Sequence, residues 1–312
     1  MEHPTRRHGP HHGHAHGLSS FEALAGTFAL GALLNLVFIG VEVVFGIASN
    51  SVALLADAGH NFGDVLGLLV AWGGAALQHR RPSARFTYGF GGSSILAALF
   101  NAIVLLITVG GIAVTALQHL AEPAPVAGTT VMVVAAVGIV VNGLTALLFR
   151  RGGERDLNVR AVFLHMLGDA VVSVAVVLAG AGVALSGRSW IDPALSLIVA
   201  VFLVASTWRL LRRSLAMALA AVPHDLDLAD VKGFLAERAG VAAVHDLHIW
   251  PMSTTERALT CHLVVPDGHP GDAALSALAR ELNERFAIGH ATIQIESGDP
   301  AHPCELVPDH VV

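Results

Sequence analysis

The sequence His60-Asn-Phe-Gly-Asp64 recurs in pattern as His165-Met-Leu-Gly-Asp169, and both copies lie inside long apolar stretches. Residues four apart on a helix lie one turn apart on the same face, so each copy presents one imidazole and one carboxylate to a common point. Placing these groups in hydrocarbon is costly unless they face protein, and such residues usually mark an ion or proton path. The repeated pair therefore indicates a metal site built by two helices within a membrane.

The composition is that of an integral membrane protein. Only 13 % of the residues are charged and 54 % are hydrophobic, with a mean hydropathy of +0.64, whereas a soluble domain is roughly one quarter charged. Past Val222 the sequence becomes mixed and acidic, so we expect a second domain in water. The net charge of -6 with a single lysine excludes nucleic-acid binding. Two cysteines, Cys261 and Cys304, cannot form a disulfide framework and are compatible with a reducing compartment.

The apolar region divides into six predicted membrane spans, because a helix needs about 20 apolar residues to cross the bilayer core. Arginines cluster between spans two and three and between spans four and five, while the opposite loops hold only Arg188. The positive-inside rule then places both termini of this multi-pass protein in the cytoplasm. We expect the membrane to be the cell inner (plasma) membrane. The predicted spans are residues 21–48, 51–78, 89–120, 126–149, 159–186 and 190–220.

Residues 1–20 are predicted to form a disordered, histidine-rich cytoplasmic tail. The apolar run that starts at Phe21 is too long for the h-region of a cleavable signal peptide. The tail has two interpretations, a loose collector of divalent metal or a disordered segment without function, such as the remnant of a purification tag. Its histidines are His8, His11, His12, His14 and His16.

Two imidazole nitrogens and two carboxylate oxygens make a four-coordinate set, which is the number that zinc prefers. Calcium and magnesium require more oxygen ligands, and Cu(I) requires thiolates that the spans lack. Cadmium, cobalt, nickel, ferrous iron and manganese remain alternatives to zinc. Two carboxylates cancel the charge of a dication, and histidine titrates near ~6.5 when unperturbed, so protons can replace a departing metal. Metal-for-proton exchange is the expected mechanism.

Two further acidic residues are predicted to support this site. Asp57 precedes His60 by three residues and therefore lies near the same face, as a transient ligand, a proton acceptor or a cap. Glu42 in the first span is expected to make hydrogen bonds between helices. Asp192, directly before a proline, is expected to start the sixth helix.

After Pro223 the pattern becomes that of a small αββαβ module. Alternation along its first strand places His245 on one face and Asp246 with His248 on the other. His262 on the second strand and Glu296 on the last can then converge with His245 on a second metal site, which would bridge elements or two protomers. Further available ligands are His248, His269, His290 and Cys261. The predicted elements are a helix at 225–239, strands at 242–250 and 256–265, a helix at 272–286 and a strand at 290–296.

The sequence thus predicts an α-helical membrane protein with six transmembrane helices and a C-terminal cytoplasmic α+β (αββαβ) domain of metallochaperone-like type. The expected boundaries are a tail at 1–20, a transmembrane domain at 21–220, a cytoplasmic domain at 221–298 and a C-terminal tail at 299–312.

Several stretches also carry a family resemblance that covers nearly all of residues 20–298. They are Glu42 to Gly46, Ser51-Val-Ala-Leu-Leu-Ala-Asp-Ala-Gly-His60, Asp156-Leu-Asn-Val-Arg-Ala-Val-Phe-Leu-His165, His245-Asp-Leu-His-Ile-Trp250 and His290-Ala-Thr-Ile-Gln-Ile-Glu296. The chain resembles the cation diffusion facilitators, a family of zinc and other divalent-cation/proton antiporters. The resemblance implies a homodimer whose protomers each export zinc from the cytoplasm by alternating access, through a site on helices two and five.

Three stretches depart from the family pattern. The segment after Tyr88 lacks the Arg and Glu of many members and the histidines of a metal site at the membrane interface. The loop from Arg150 to Asn158 is short and lacks the histidine-rich insertion of many eukaryotic members, which favours a bacterial-type protein. Gln294 stands where some members place a further histidine ligand in the cytoplasmic domain.

Two other function classes compete with a secondary transporter. An intramembrane zinc hydrolase would need an open coordination position and a general base, as in His-Glu-x-x-His, but Asn61 and Met166 follow the two histidines here. A membrane metal receptor that signals without transport is not separated by sequence and requires a flux measurement. The sequence therefore favours a transporter and not an enzyme.

Overall fold

The computed structural model describes residues 15–78, 80–153 and 157–307, and within them six long helices precede a small module of two helices and three strands. Most of the predicted histidine-rich tail and the last five residues of the predicted C-terminal tail lie outside these residues. The elements are α1 (Ala15–Ala48), α2 (Val52–Gln78), α3 (Ser93–Ala121), α4 (Gly128–Gly153), α5 (Leu157–Ser186), α6 (Ile191–Ala218), α7 (Leu228–Ala236), β1 (Ala243–Pro251), β2 (Arg257–Val264), α8 (Asp272–Phe286) and β3 (Ile288–Glu296).

The ends of the long helices differ from the predicted spans. α1 begins at Ala15, six residues before the predicted start, and includes the backbone of His16. α4 continues to Gly153 and so extends into the predicted loop from Arg150. Both differences have one physical reason: the backbone hydrogen bonds of a helix are internal, so a helix can continue beyond its apolar run into water.

Five of the helices among the described residues are long and apolar enough to cross a membrane, whereas six spans were predicted. α2 is the missing span. It carries Asp57, His60, Asn61 and Asp64, and these polar residues lower its hydropathy although it has 27 residues. The five qualifying segments are Leu30–Ala48, Ser93–Ala121, Gly128–Leu147, His165–Ser186 and Ile191–Ala218.

The chain divides into two compact units, one formed by Met1–Val65 with Gly110–Ala200 and the other by Leu66–Val109 with Val201–Val312. Within the first unit, α4 and α5 meet backbone to backbone. A Cβ atom on Gly128 would lie 2.6 Å from the carbonyl oxygen of Gly180, and one on Gly180 would lie 2.8 Å from the backbone nitrogen of Met132. This contact depends on small residues, as is usual where helices pack in lipid.

The buried start of α2 is capped from α6. Asp192 is 1 % exposed, and its Oδ2 accepts hydrogen bonds from the backbone nitrogens of Val52 and Ala53 at 2.7 and 3.2 Å. Ser51 donates its hydroxyl hydrogen to Asp192 Oδ1. A carboxylate at this position satisfies N–H groups that have no partner within the helix and complements the helix dipole. Asp192 therefore fixes where α2 starts, in addition to lying in the first turn of α6 as predicted.

In the second unit, residues 228–296 form the predicted αββαβ order around a three-stranded sheet. β2 lies in the centre, antiparallel to β1 and parallel to β3. The parallel pair requires a crossover, which α8 provides. Leu235, Leu259, Leu263, Leu282 and Ile288 form the centre of the core, with each at most 2 % exposed.

β1 contains a bulge that the predicted alternation did not include. His245 pairs with His262 and His248 pairs with Thr260, so two residues of β1 oppose one residue of β2. Asp246 takes a left-handed backbone conformation with φ of 48°. Such a bulge leaves one residue unpaired and redirects the neighbouring side chains. The bulge therefore breaks the regular alternation that placed Asp246 on the face opposite His245.

Candidate metal centres

The two pentads come together between α2 and α5 in the first unit. His60 Nε2 lies 3.2 Å from Asp169 Oδ1, and His165 Nε2 lies 3.2 Å from Asp64 Oδ2. Within each helix the distances are longer, 3.7 Å from His60 Nδ1 to Asp64 Oδ2 and 4.0 Å from His165 Nε2 to Asp169 Oδ2. Each histidine therefore approaches the carboxylate of the other helix more closely than that of its own, which makes this a cluster shared by two helices.

The spacing between donor atoms fits a small tetrahedral cation. Bonds of about 2.0–2.1 Å from zinc to nitrogen and oxygen place neighbouring donor atoms about 3.3 Å apart, and the two shortest distances are 3.2 Å. One potential ligand atom from each of His60, Asp64 and Asp169 lies within 4.8 Å of the others. His165 lies outside this tighter group but reaches Asp64. The cluster thus consists of three closely grouped donor residues, with His165 next to them as the fourth.

Two carboxylate oxygens of the cluster lack hydrogen-bond donors. Asp64 Oδ2 and Asp169 Oδ2 are buried and accept no well-aligned hydrogen bond within the described part of the chain, although His165 Nε2 lies 3.2 Å from Asp64 Oδ2. Buried anionic oxygens without donors are costly, and a bound cation would satisfy them. Access to the four side chains is uneven: Asp169 is 3 % exposed and His165 is 44 % exposed. His165 is therefore the most exposed of the four side chains.

A buried polar network from α1, α2 and α5 lies beside the cluster. Asn61 Nδ2 donates a hydrogen bond to Glu42 Oε2 at 3.1 Å, which links α2 to α1. Ser173 Oγ donates to Asp57 Oδ2 at 3.3 Å, which links α5 to α2. Glu42 and Asp57 are both fully buried. Because Asn61 is the residue next to His60, this network fixes the helix turn that carries the first histidine.

The second cluster lies at the end of the three-stranded sheet in the second unit. His262 Nδ1 lies 2.9 Å from Glu296 Oε1, and His245 Nε2 lies 3.4 Å from Glu296 Oε2. His245 and His262 are cross-strand partners with ring centroids 5.1 Å apart. The structure thus places together the three side chains that the strand pattern selected, on the three different strands.

Two members of the second cluster were missed by sequence reasoning. Cys304 Sγ lies 3.5 Å from His262 Nδ1, and its sulfur groups with donor atoms of His245, His262 and Glu296 within 4.8 Å. Asp246 Oδ2 lies 3.4 Å from His262 Nε2, because the bulge turns this carboxylate toward the cluster. No strand or helix period relates Cys304, beyond β3, to the sheet. Its only sequence signal was that it is a thiol outside any core pattern.

The other cysteine is unsuited to be a ligand. Cys261 is 1 % exposed and belongs to the apolar core of the module. Burial, helped by the charge of Asp246, raises the pKa of its thiol to about 12, and its sulfur does not belong to the group of donor atoms that lie within 4.8 Å of one another. Glu296 differs from Cys261, because its charged form is favoured. Although burial favours its neutral form, hydrogen bonds from Cys304 and Gln294 hold the pKa of Glu296 below its ordinary value. Gln294 Nε2 donates to Glu296 Oε1 at 3.0 Å and so orients this carboxylate.

Comparison with known proteins identifies the family. The model of the cation efflux transmembrane domain matches residues 28–217. The chain belongs to the cation efflux family. A second model, the cytoplasmic domain of cation efflux proteins, matches residues 223–298. The resemblance to cation diffusion facilitators of bacterial type, stated above from the motifs, is thereby confirmed.

Relatives from bacteria align along most of their length. The zinc transporter ZitB of Escherichia coli is 38 % identical over 267 residues, which cover 85 % of this chain and 85 % of the relative. The cadmium, cobalt and zinc/H(+)-K(+) antiporter of Bacillus velezensis is 33 % identical, covering 84 % and 85 %. The metal cation efflux system protein CzcD of Cupriavidus metallidurans is 33 % identical, covering 91 % and 85 %.

Among solved structures, the metal-bound C-terminal domain of the CzcD transporter from the same organism is 38 % identical. It covers 23 % of this chain and 99 % of that domain, with a TM-score of 0.20.

Proposed function

We propose that this protein exports divalent metal cations, zinc foremost, from the cytoplasm in exchange for protons, through a site formed by His60, Asp64, His165 and Asp169. The observation that carries the proposal is the approach of the two His-x-x-x-Asp pairs across α2 and α5, with nitrogen to oxygen distances of 3.2 Å. The names of the relatives, a zinc transporter and a cadmium, cobalt and zinc antiporter, support metal as the cargo and protons as a counter-ion.

Charge explains how such a site can lie in a membrane. Asp64 and Asp169 together neutralise a dication, so a loaded site avoids most of the cost of placing charge in a low-dielectric medium. When the metal leaves, protons on the histidines and carboxylates can replace its charge. Exchange of metal for protons is therefore favoured over transport of the metal ion without a counter-ion. The more exposed His165 marks the side from which the metal enters or leaves in this conformation.

The proposal includes α2 as a sixth membrane span, because its polar residues face protein in the cluster and the polar network. With six spans both termini lie on the same side, and the arginine distribution places that side in the cytoplasm. The transmembrane domain then extends over residues 21–220 and the cytoplasmic domain over 221–298. A match to the cytoplasmic domain of cation efflux proteins supports a homodimer as the working form.

A second part of the proposal concerns the cytoplasmic cluster. His245, His262 and Glu296, with Cys304 as a fourth donor, are proposed to bind the same class of metal as a regulatory site. The mixed nitrogen, oxygen and sulfur set suits zinc, cobalt and cadmium better than manganese or magnesium.

Flux into sealed vesicles tests the main proposal. We expect purified protein in liposomes to move zinc against an imposed proton gradient, and the isosteric Asp64→Asn variant, like His165→Ala, to lose this flux while remaining monodisperse. Replacement of His269, an exposed histidine outside both clusters, is the matched control and should leave flux unchanged. Normal flux in Asp64→Asn and His165→Ala would remove the proposed site. Zinc binding without flux in the unmodified protein would favour the receptor hypothesis.

A further inference from the structure

A cavity of about 660 Å³ lies in the second unit, at the C-terminal end of α6. Its walls come from four parts of that unit: Ala98 of α3, the end of α6, the chain that follows α6, and the β1–β2 turn of the cytoplasmic module. The turn is held against the start of α3, where the backbone nitrogen of Thr254 donates to Ser94 Oγ at 3.1 Å. A Cβ atom on Gly91 would lie 2.9 Å from the carbonyl oxygen of Met252, so this close approach requires glycine. Specific contacts within the unit thus fix the position of the β1–β2 turn that forms one wall of the cavity.

Three arginines on one face of α6 line the cavity. Arg209, Arg212 and Arg213 are spaced i, i+3 and i+4, so their side chains share a face of the helix. All three are exposed, and within the described part of the chain none has an acidic partner at ion-pair distance. By contrast, Arg257 in the same cavity is neutralised by Asp225, with Arg257 Nη2 2.6 Å from Asp225 Oδ2, a contact that lowers the pKa of this carboxyl.

One residue that lines the cavity has a buried hydroxyl without a partner. Ser214 lines it, is fully buried, and its Oγ has no hydrogen-bond partner among the described residues. A serine in a helix can donate to the carbonyl four residues earlier, and a buried hydroxyl left unpaired costs free energy. Four arginines line the cavity against two carboxylates, Asp225 and Glu256, so its lining keeps a net positive charge. A free donor beside this charge fits a ligand with several acceptor oxygens and negative charge. Phosphate has these properties, and arginine binds it through paired hydrogen bonds.

The surroundings indicate that the phosphate belongs to a lipid. Trp208 and Leu215 are exposed on α6 beside the arginines, an arrangement typical of a helix end at the bilayer surface, where tryptophan contacts the headgroup level. A free anion needs no apolar surface, whereas the acyl chains of a phospholipid do. Basic cavities at the cytoplasmic ends of membrane helices are suited to anionic headgroups.

We propose that this cavity binds the headgroup of an anionic phospholipid, with Arg209, Arg212 and Arg213 contacting the phosphate and Ser214 donating a hydrogen bond to it. The lipid would connect α6 to the β1–β2 turn, and so hold the cytoplasmic module against the bilayer surface. The inference requires that α6 spans the membrane and does not depend on which metal is transported.

Native mass spectrometry of the full-length protein, released from detergent after equilibration with dioleoyl lipids, tests the proposal. We expect phosphatidylglycerol adducts to survive at several-fold higher occupancy than phosphatidylcholine adducts. The double variant R212Q/R213Q should reduce that preference to near unity, and S214A should reduce phosphatidylglycerol occupancy severalfold. R80Q/R81Q removes the same charge from arginines that do not line the cavity and should keep the preference of the unmodified protein.

Three outcomes would overturn the proposal. They are equal occupancy of the two lipids on the unmodified protein, an equal loss in R80Q/R81Q, and full displacement of phosphatidylglycerol by millimolar inorganic phosphate, which would identify a site for the free anion. Should R212Q/R213Q fail to fold, the single variant R209Q replaces it and must lower phosphatidylglycerol occupancy. Vesicle flux of zinc is measured separately, so a failed lipid site is distinguishable from a failed transport site.

Discussion

At the scale of single residues, the ligand candidates were easier to predict than the residues that hold them. Spacing alone selected His60 and Asp64, because a helix fixes which side chains share a face. Asn61 lies between them in sequence and was not selected, although its hydrogen bond to Glu42 joins α2 to α1. A buried amide gives no periodic signal, since its importance depends on a partner from a distant part of the chain.

Replacement of Asn61 by alanine tests this supporting role. The change leaves Glu42 Oε2 without its donor in a buried place, which should cost roughly 1–3 kcal/mol. We expect a lower thermal midpoint in detergent and zinc binding weakened by about tenfold, as is typical when a group that orients a ligand is removed. Asn283, exposed on α8, provides the matched change to alanine, which should alter neither quantity. An Asn61→Ala protein with the stability and zinc affinity of the parent would show that the network is not needed.

At the scale of elements, the order of helices and strands followed from hydropathy and alternation, while their ends and irregularities did not. α8 was predicted at 272–286 and observed at Asp272–Phe286, because apolar periodicity and flanking turn residues agree there. The bulge in β1 was not predicted, since strict alternation from His245 through Trp250 reads as a regular strand. It nevertheless decides that Asp246 reaches His262.

The contact between α4 and α5 gives a prediction at this scale. Gly180→Ala places a Cβ atom 2.8 Å from the Met132 backbone nitrogen, so the helices must separate. Overpacking of this kind typically costs about 1–3 kcal/mol, and we expect a clear fall in the thermal midpoint of the purified protein. Gly143→Ala on α4 meets no atom within 4 Å and should be neutral or slightly stabilising, because alanine favours helix. Equal midpoints for the two variants would mean that the close approach does not hold the helices together.

At the scale of the whole molecule, the two donor clusters lie in different compact units and are built from different elements. The sequence indicated both, one by a repeated pair and one by convergence of three strands. It could not indicate that Cys304 joins the second, since the segment after β3 has no pattern that fixes its path. Two clusters on separate units are expected to bind metal independently.

Zinc titration of the full-length protein should therefore reveal two classes of binding site. We expect Asp64→Asn to remove one class and the pair His262→Ala/Glu296→Ala to remove the other, with the remaining class unchanged in affinity. Cobalt distinguishes them chemically, because only the cytoplasmic cluster contains a cysteine sulfur. A sulfur-to-cobalt charge-transfer band should persist in Asp64→Asn and disappear in Cys304→Ser, whereas Cys261→Ser, which alters the thiol buried in the core, should retain it. Loss of both classes in either metal-site variant would show that the clusters are coupled, and a band that survives Cys304→Ser would exclude this sulfur as a ligand.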